Sequence, residues 1–342
     1  MQPSMTTRVV WSPDEYVRHR IPGIFVTSRS TVLIYTEARR DASDWAHMDI
    51  LLQRSEDGGK SFGEPIILAC GTEQYKTVNN PVIMEDKNGR LHLLHCKDYT
   101  IGGGGAWHRY SDDDGKTWSE PREITEATRP EIHDVFAFGP GHGITLSDGT
   151  LLVPVWMVPK GAGESIEKHW PSVISTFYSK DNGESWTLGE IIPSTEEVPN
   201  PNETAAVELD DGRVMLDIRS FAHIRSLSYS ANGYSDWSEA KNHAQLVDPS
   251  CFGSIASITA EDGHKRLLSV NCDNVEKRVN VVIKVSDDNG ETWGVKRTVD
   301  AERGGYCDIA VDGANGKIYV LYEEKYGKYM FLSTIDKEWL EI

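Results

Sequence analysis

Short stretches with apolar side chains at every second position run the length of this chain. Leu91 to Cys96, Val214 to Ile218 and Val279 to Val285 have this spacing, carry β-branched residues, and lie beside Asn-Gly or Asp-Gly pairs. The pattern predicts antiparallel strands joined by tight turns, and no long helical periodicity competes with it. Between the strands an eight-residue box recurs: SEDGGKSF from Ser55, SDDDGKTW from Ser111, SKDNGESW from Ser179 and SDDNGETW from Ser286. A worn copy, SANGYSDW from Ser230, keeps the first Ser and the last Trp, has Asn232 at the Asp position and lacks Gly at the fifth. Ser and Asp side chains satisfy nearby backbone donors, Gly supplies a positive φ, and the closing aromatic turns inward to pack.

The box positions Asp57, Asp113, Asp181, Asn232 and Asp288 are spaced 51 to 68 residues apart. That period belongs to propeller blades rather than helical solenoids, and the chain length makes about six units, within the usual propeller range. The expectation is an all-β protein, a six-bladed β-propeller of four-stranded antiparallel blades, with residues 1–342 as one domain and the termini meeting in one blade. No Pro/Ser-rich or charged linker interrupts the pattern.

Charge and cysteine usage narrow the partners. A formal net charge of −18 argues against nucleic acid or an anionic membrane, so an anionic substrate needs a local cationic pocket. The amino-terminal MQPSMTTRVVWSPDEY lacks the charged and apolar regions of a secretory leader, and no apolar run is long enough to span a bilayer. The expectation is a soluble chain, cytoplasmic, or secreted if a leader was removed. Five cysteines, Cys70, Cys96, Cys251, Cys272 and Cys307, lack metal-ligand spacing. They read as small buried thiols. His92 and His95 fall on opposite faces of one strand, which removes a shared metal site. The run Gly102 to Gly105 lacks the following Lys-Ser/Thr of a phosphate cradle and reads as a loop near a pocket rim. Neither a metal nor a cofactor is expected.

The remaining motifs lie outside the boxes. HRIPGIF carries Arg20, and YTEARRDASDW follows it with Arg39 and Asp44; PNETAAVELDDGRVMLDIRS carries Asn202, Glu203, Arg219 and Ser220. LLSVNCDNVEKR carries Ser269, Asn271 and Arg278, and GGYCDIAVDGANGKIYVLYEE carries Tyr306, Cys307, Asp308 and Glu323. In this order and with these boxes the chain resembles the sialidase (neuraminidase) superfamily over almost its whole length. Cys307 stands where the family usually has Ser, and Cys272 where it commonly has Pro.

The resemblance implies a retaining exo-α-sialidase that releases terminal sialic acids. Arg20, Arg219 and Arg278 would clamp the substrate carboxylate, since a guanidinium fork binds a carboxylate bidentately and keeps its charge. Tyr306 would be the nucleophile, as sialidases depart from the two-carboxylate rule, with Glu203 as its base. Asp44 would be the general acid, with Asp41 and Asp49 as competitors in the same loop, and Arg39 would contact the sugar ring. Trp45, Met48 and Trp107 are candidates for the acyl pocket. Alternatives are a related ulosonic acid such as deaminated neuraminic acid as substrate, transfer to another acceptor, or a non-catalytic propeller that binds sialylated glycans. The box Asp residues are carboxylates of catalytic type, but turn chemistry accounts for them.

Overall fold

A computed structural model describes residues 4–97, 104–162 and 169–341. They form six antiparallel sheets arranged in a ring, as the box spacing predicts. Blade I comprises Arg18–Val26, Val32–Arg39, Met48–Ser55 and Ile66–Cys70, and blade II Val78–Glu85, Leu91–Lys97, Gly105–Ser111 and Arg122–Glu123. Blade III comprises His133–Phe138, Leu151–Pro159, Val173–Ser179 and Thr187–Leu188, with Ile144–Thr145 paired to its second strand. Blades IV and V follow the same order: Thr204–Glu208, Val214–Ile218, Ile224–Ser230 and Lys241–Val247, then Ser254–Thr259, Lys265–Cys272, Val281–Ser286 and Val295–Asp300.

Blade VI closes the ring. Its first three strands are Cys307–Asp312, Lys317–Glu324 and Tyr329–Asp336, and its fourth is the amino-terminal Met5–Trp11, paired so that Met5 opposes Ile335. Each box joins the third strand of a blade to the fourth, which is why five boxes serve six blades. The termini meet in one blade, so ring closure rests on strand pairing between distant segments.

The box wiring is local and repeated. In the second box Ser111 Oγ donates to Asp113 Oδ1 at 2.8 Å, Gly115 N donates to Ser111 Oγ at 2.9 Å, and Thr117 donates through N and Oγ1 to Asp113 at 2.8 and 2.6 Å. Asp114 and Gly115 both have positive φ, 62° and 79°, which suits a Gly at the fifth position. The worn copy departs from its reading in one respect. Gly233 is left-handed at the fourth position, as Asp114 is, but Tyr234 at the fifth is not, and the bond to Ser230 Oγ comes from the Gly233 N–H at 3.0 Å, one residue earlier than in the full box, so the turn is shortened rather than deprived of glycine.

Side-chain alternation fades in the middle strands. Val214–Ile218 and Val281–Ser286 are buried at every position. Each lies between the two neighbouring blades, so both faces meet apolar partners; Leu33, Tyr35 and Leu52 of blade I, for example, pack on Val78, Ile83 and Leu93 of blade II. Burying one such side chain contributes about 1.5–3 kcal/mol. Among the described residues no helix is long and apolar enough to cross a membrane.

Candidate active site

Antiparallel order places the boxes at one face of the ring. The starts of the first strands and the hairpins between second and third strands therefore share the opposite face. Arg20, Arg39, Asp44, Glu203, Arg219, Arg278 and Tyr306 all occupy those positions, and all line one pocket of about 540 Å³. Asn79 and Asn80 of blade II and Trp156, His169 and Trp170 of blade III complete its wall.

Arg20 reaches the pocket from an irregular strand. The pairing register shifts between Arg20 and Gly23, and Ile21 takes φ 58°. Gly23 is required there, because a Cβ would stand 1.9 Å from the Tyr35 ring. Arg20 donates through Nε at 2.7 Å and Nη2 at 3.2 Å to the two carboxylate oxygens of Glu323, a fully buried residue at the end of the second strand of blade VI. This pair joins blades I and VI. Burial opposes the Arg20 charge, but attraction to Glu323, Tyr306 and Asp44 and the hydrogen bonds to Glu323 together outweigh it and raise the Arg20 pKa.

Blade IV supplies a second charged pair. Asn202 and Glu203 precede its first strand and Arg219 follows its second, so they face each other across one hairpin, with Asn202 N donating to Arg219 O at 3.0 Å. Arg219 Nη1 donates to Glu203 Oε2, and also to Tyr306 Oη at 2.8 Å. The Tyr306 hydroxyl in turn donates to Glu203 Oε1 at 2.7 Å. Burial lifts the Tyr306 pKa above the ordinary phenol value and the Glu203 charge adds to the shift, while Arg219, Arg278 and Arg20 pull it back. The phenol is therefore neutral at rest, with its proton already directed at a carboxylate.

Arg278 is held differently. Among the described residues its guanidinium makes no hydrogen bond or ion pair; it stands 5.3 Å from the Tyr306 ring centroid and 5.3 Å from that of Tyr326. Arg20 and Arg219 lie 5.0 and 5.7 Å from the same Tyr306 centroid, so three cations from three blades surround one ring.

Asp44 is the carboxylate of its loop that lines the pocket. Its side chain is 56% exposed and accepts from Arg39 Nη1 at 2.5 Å; Arg39 also binds the buried Glu37, through Nε at 2.9 Å. Burial raises the Asp44 pKa, but the Arg39 and Arg20 guanidiniums outweigh it and hold the carboxyl below its usual range. Asp41 is exposed and accepts the Ser43 N–H at 2.7 Å. Asp49 is buried elsewhere, accepting from Tyr16 Oη at 2.6 Å and Gly71 N at 3.0 Å.

The aromatic candidates for an acyl pocket are not brought together here. Met48 is fully buried between blades I and II, and Trp45 packs against His169, ring centroids 6.0 Å apart, without lining the pocket. Trp107 lines a separate cavity of about 450 Å³ with Gly104, Gly105, Tyr75 and Lys97. Gly102 and Gly103 of the glycine run lie outside the described residues. Besides Tyr306, the aromatics lining the site pocket are instead Trp156, Trp170, Phe221 and Tyr326. Glu37 was legible in principle, since it sits two residues from Arg39 on one strand face. Asn80, whose N–H donates to Glu37 at 2.7 Å from a left-handed backbone (φ 52°), carries no such local signal.

His92 and His95 are separated as expected: His92 Nδ1 lies 3.0 Å from His108 Nε2, while His95 Nδ1 lies 3.0 Å from the Cys96 carbonyl oxygen. Among the described residues no group of three or more His, Cys, Asp or Glu side chains is arranged to hold a metal.

Known proteins sharpen this picture. A sialidase of Bacteroides fragilis is 28% identical across 93% of the chain, which spans 62% of that relative's length. A sialidase of Paraclostridium sordellii is 25% identical, with 89% of the chain and 81% of the relative covered. In structure, an intramolecular trans-sialidase of Ruminococcus gnavus, solved with oseltamivir carboxylate, superposes with a TM-score of 0.80 at 16% identity over 98% of both chains. A Hadza microbial sialidase does so with a TM-score of 0.81 at 24% identity, over 94% of this chain and 66% of its own. The family described as BNR repeat-like domain matches residues 42–320, and the chain belongs to it, as a member of the sialidase superfamily.

Proposed function

We propose that the chain is an exo-α-sialidase, a retaining glycoside hydrolase that releases terminal sialic acids through a tyrosyl intermediate. The observation that carries this reading is the Tyr306 hydroxyl 2.7 Å from Glu203 Oε1, under guanidiniums from three blades. A sialic acid bears a carboxylate on its anomeric carbon, and a carboxylate nucleophile would meet it with like charge. A neutral phenol avoids that repulsion until its proton leaves.

Arg20, Arg219 and Arg278 bind the substrate carboxylate. Tyr306 Oη then bonds to the anomeric carbon as its proton passes to Glu203, and the glycosidic C–O bond breaks with a proton from Asp44 going to the leaving oxygen. Asp44 next takes a proton from water, which displaces the phenol; Tyr306 recovers its own from Glu203. Two displacements at one carbon retain configuration.

Arg39 keeps Asp44 ionised at rest. A substrate carboxylate arriving beside Arg20, whose Nη1 is 3.8 Å from Asp44 Oδ1, brings like charge to Asp44 and raises its pKa towards that of an acid. The complete set of acid, base and phenol favours an enzyme over a pure binder, which needs only the clamp.

Incubation with an aryl α-sialoside and its deaminated analogue, followed by NMR of the first-formed sugar, tests the reading. The α-anomer of free sialic acid is expected, and Tyr306→Phe should lose the reaction. The same spectra distinguish transfer to the sugar's own hydroxyl, and release from neither substrate would sink the hydrolase reading.

A further inference from the structure

The three guanidiniums of the pocket are anchored unequally. Arg20 is tied to Glu323 and Arg219 to Glu203, whereas Arg278 stands between two aromatic rings with no carboxylate partner among the described residues. It comes from the loop between the second and third strands of blade V. A long side chain on a loop loses rotamer freedom when it engages an anion unless something holds it beforehand. Tyr306 supplies one face of that support from inside the pocket. Tyr326 supplies the other from its rim.

Tyr326 is placed by its own turn. Lys325, Tyr326 and Gly327 are consecutive left-handed residues, with φ of 51°, 54° and 76°, in the hairpin that follows Glu323. The left-handed region disfavours a bulky side chain, so neighbours must hold the turn. His19 N donates to Gly327 O at 2.7 Å, and a Cβ on Gly327 would stand 2.4 Å from His19 O and 2.7 Å from Arg20 Cδ. The turn thus presses on the strand that carries Arg20. Yet Tyr326 is 63% exposed, so core packing does not explain a large aromatic here.

We infer that Tyr326 is a positioning residue whose ring holds Arg278 in the clamp before substrate arrives. One hairpin of blade VI then sets two of the three guanidiniums, Arg20 through Gly327 and Arg278 through Tyr326. The inference rests on the sialidase reading of the pocket.

Steady-state kinetics on an aryl α-sialoside test it. Tyr326→Ala should raise KM about 5- to 30-fold, the range of one partly desolvated cation–π contact, and change kcat by less than about twofold. Tyr326→Phe and Tyr326→Trp should restore KM. Calorimetry with a sialoside and its carboxamide should show that Tyr326→Ala loses preference for the carboxylate. An active wild type whose KM is unchanged in Tyr326→Ala overturns the inference alone. So does a change in kcat and melting temperature that the aromatic replacements fail to reverse. A wild type that neither turns over nor binds the sialoside removes the functional reading and this inference together.

Discussion

The Tyr306 hydroxyl donates a 2.7 Å hydrogen bond to Glu203, a residue 103 positions earlier in the chain and two blades away around the ring. The geometry couples a phenol whose pKa is raised by burial to a carboxylate that can receive its proton. If this is the nucleophile–base pair, Glu203→Gln should lower kcat by about 10²- to 10⁴-fold. Tyr306→Phe should lose at least as much. Single-turnover release of an aryl aglycone measures both, and a Glu203→Gln enzyme within tenfold of wild type would remove Glu203 from the chemistry.

Arg20 and Glu323 form a two-point ion pair with little access to water. Removing one partner leaves a buried charge uncompensated, so Glu323→Ala should cost about 3–5 kcal/mol of stability. Denaturant unfolding measures that loss. Arg20→Lys keeps the charge but not the planar fork, and should raise KM while largely sparing the fold. Equal KM for the two enzymes would place Arg20 outside the carboxylate clamp.

Asp44 can be judged by the leaving group. A general acid matters most when the departing oxygen is strongly basic. Asp44→Asn should therefore slow a sialyl-sugar substrate by about 10²-fold or more while affecting an acidic aryl leaving group far less. Equal losses on both substrates would point to a binding role instead.

The boxes should govern stability rather than turnover. Burial opposes ionisation of Asp113, but hydrogen bonds from Thr117 and Ser111 prevail and bring it from 3.8 to about 2; Asp181 and Asp288 are lowered in the same way. A carboxyl with a depressed folded-state pKa stabilises the fold above its unfolded pKa and loses that contribution as pH falls through the folded value. Thermal stability should accordingly decline as pH drops from about 4 towards 2. Asp113→Ala should flatten part of that decline and cost about 1–3 kcal/mol at neutral pH, with kcat/KM unchanged below the melting range. A large loss of kcat/KM in the still-folded variant would contradict a purely structural box.

Local chemistry was legible and distant juxtaposition was not. Each of the four full boxes is wired by hydrogen bonds between residues two and four apart, such as Ser179 with Asp181 at 2.8 Å and Ser185 N with Asp181 at 2.8 Å, so its turn can be read from eight letters. Boxes at blade spacing then set the all-β class and the number of units. The resemblance singled out Arg20, Glu203, Arg219, Arg278 and Tyr306, and antiparallel strand order puts them on one face. The acyl-pocket aromatics failed because the exposure of a single Trp or Met depends on the blade beside it: Met48 is enclosed by blade II, a partner its own strand does not encode.

By itself the sequence determined the strands, the turns, the blade count and the order in which chemical groups appear around the ring, because neighbours along the chain decide all of these. Tertiary structure alone decided which groups touch. Arg20 meets Glu323 across 303 residues only because Met5–Trp11 completes the last blade, and Arg278 lies against Tyr326 only because the hairpins of blades V and VI stand side by side. The first contact depends on closing the ring, whose geometry sums over every blade, and the second on how neighbouring blades pack; neither is written in a single segment.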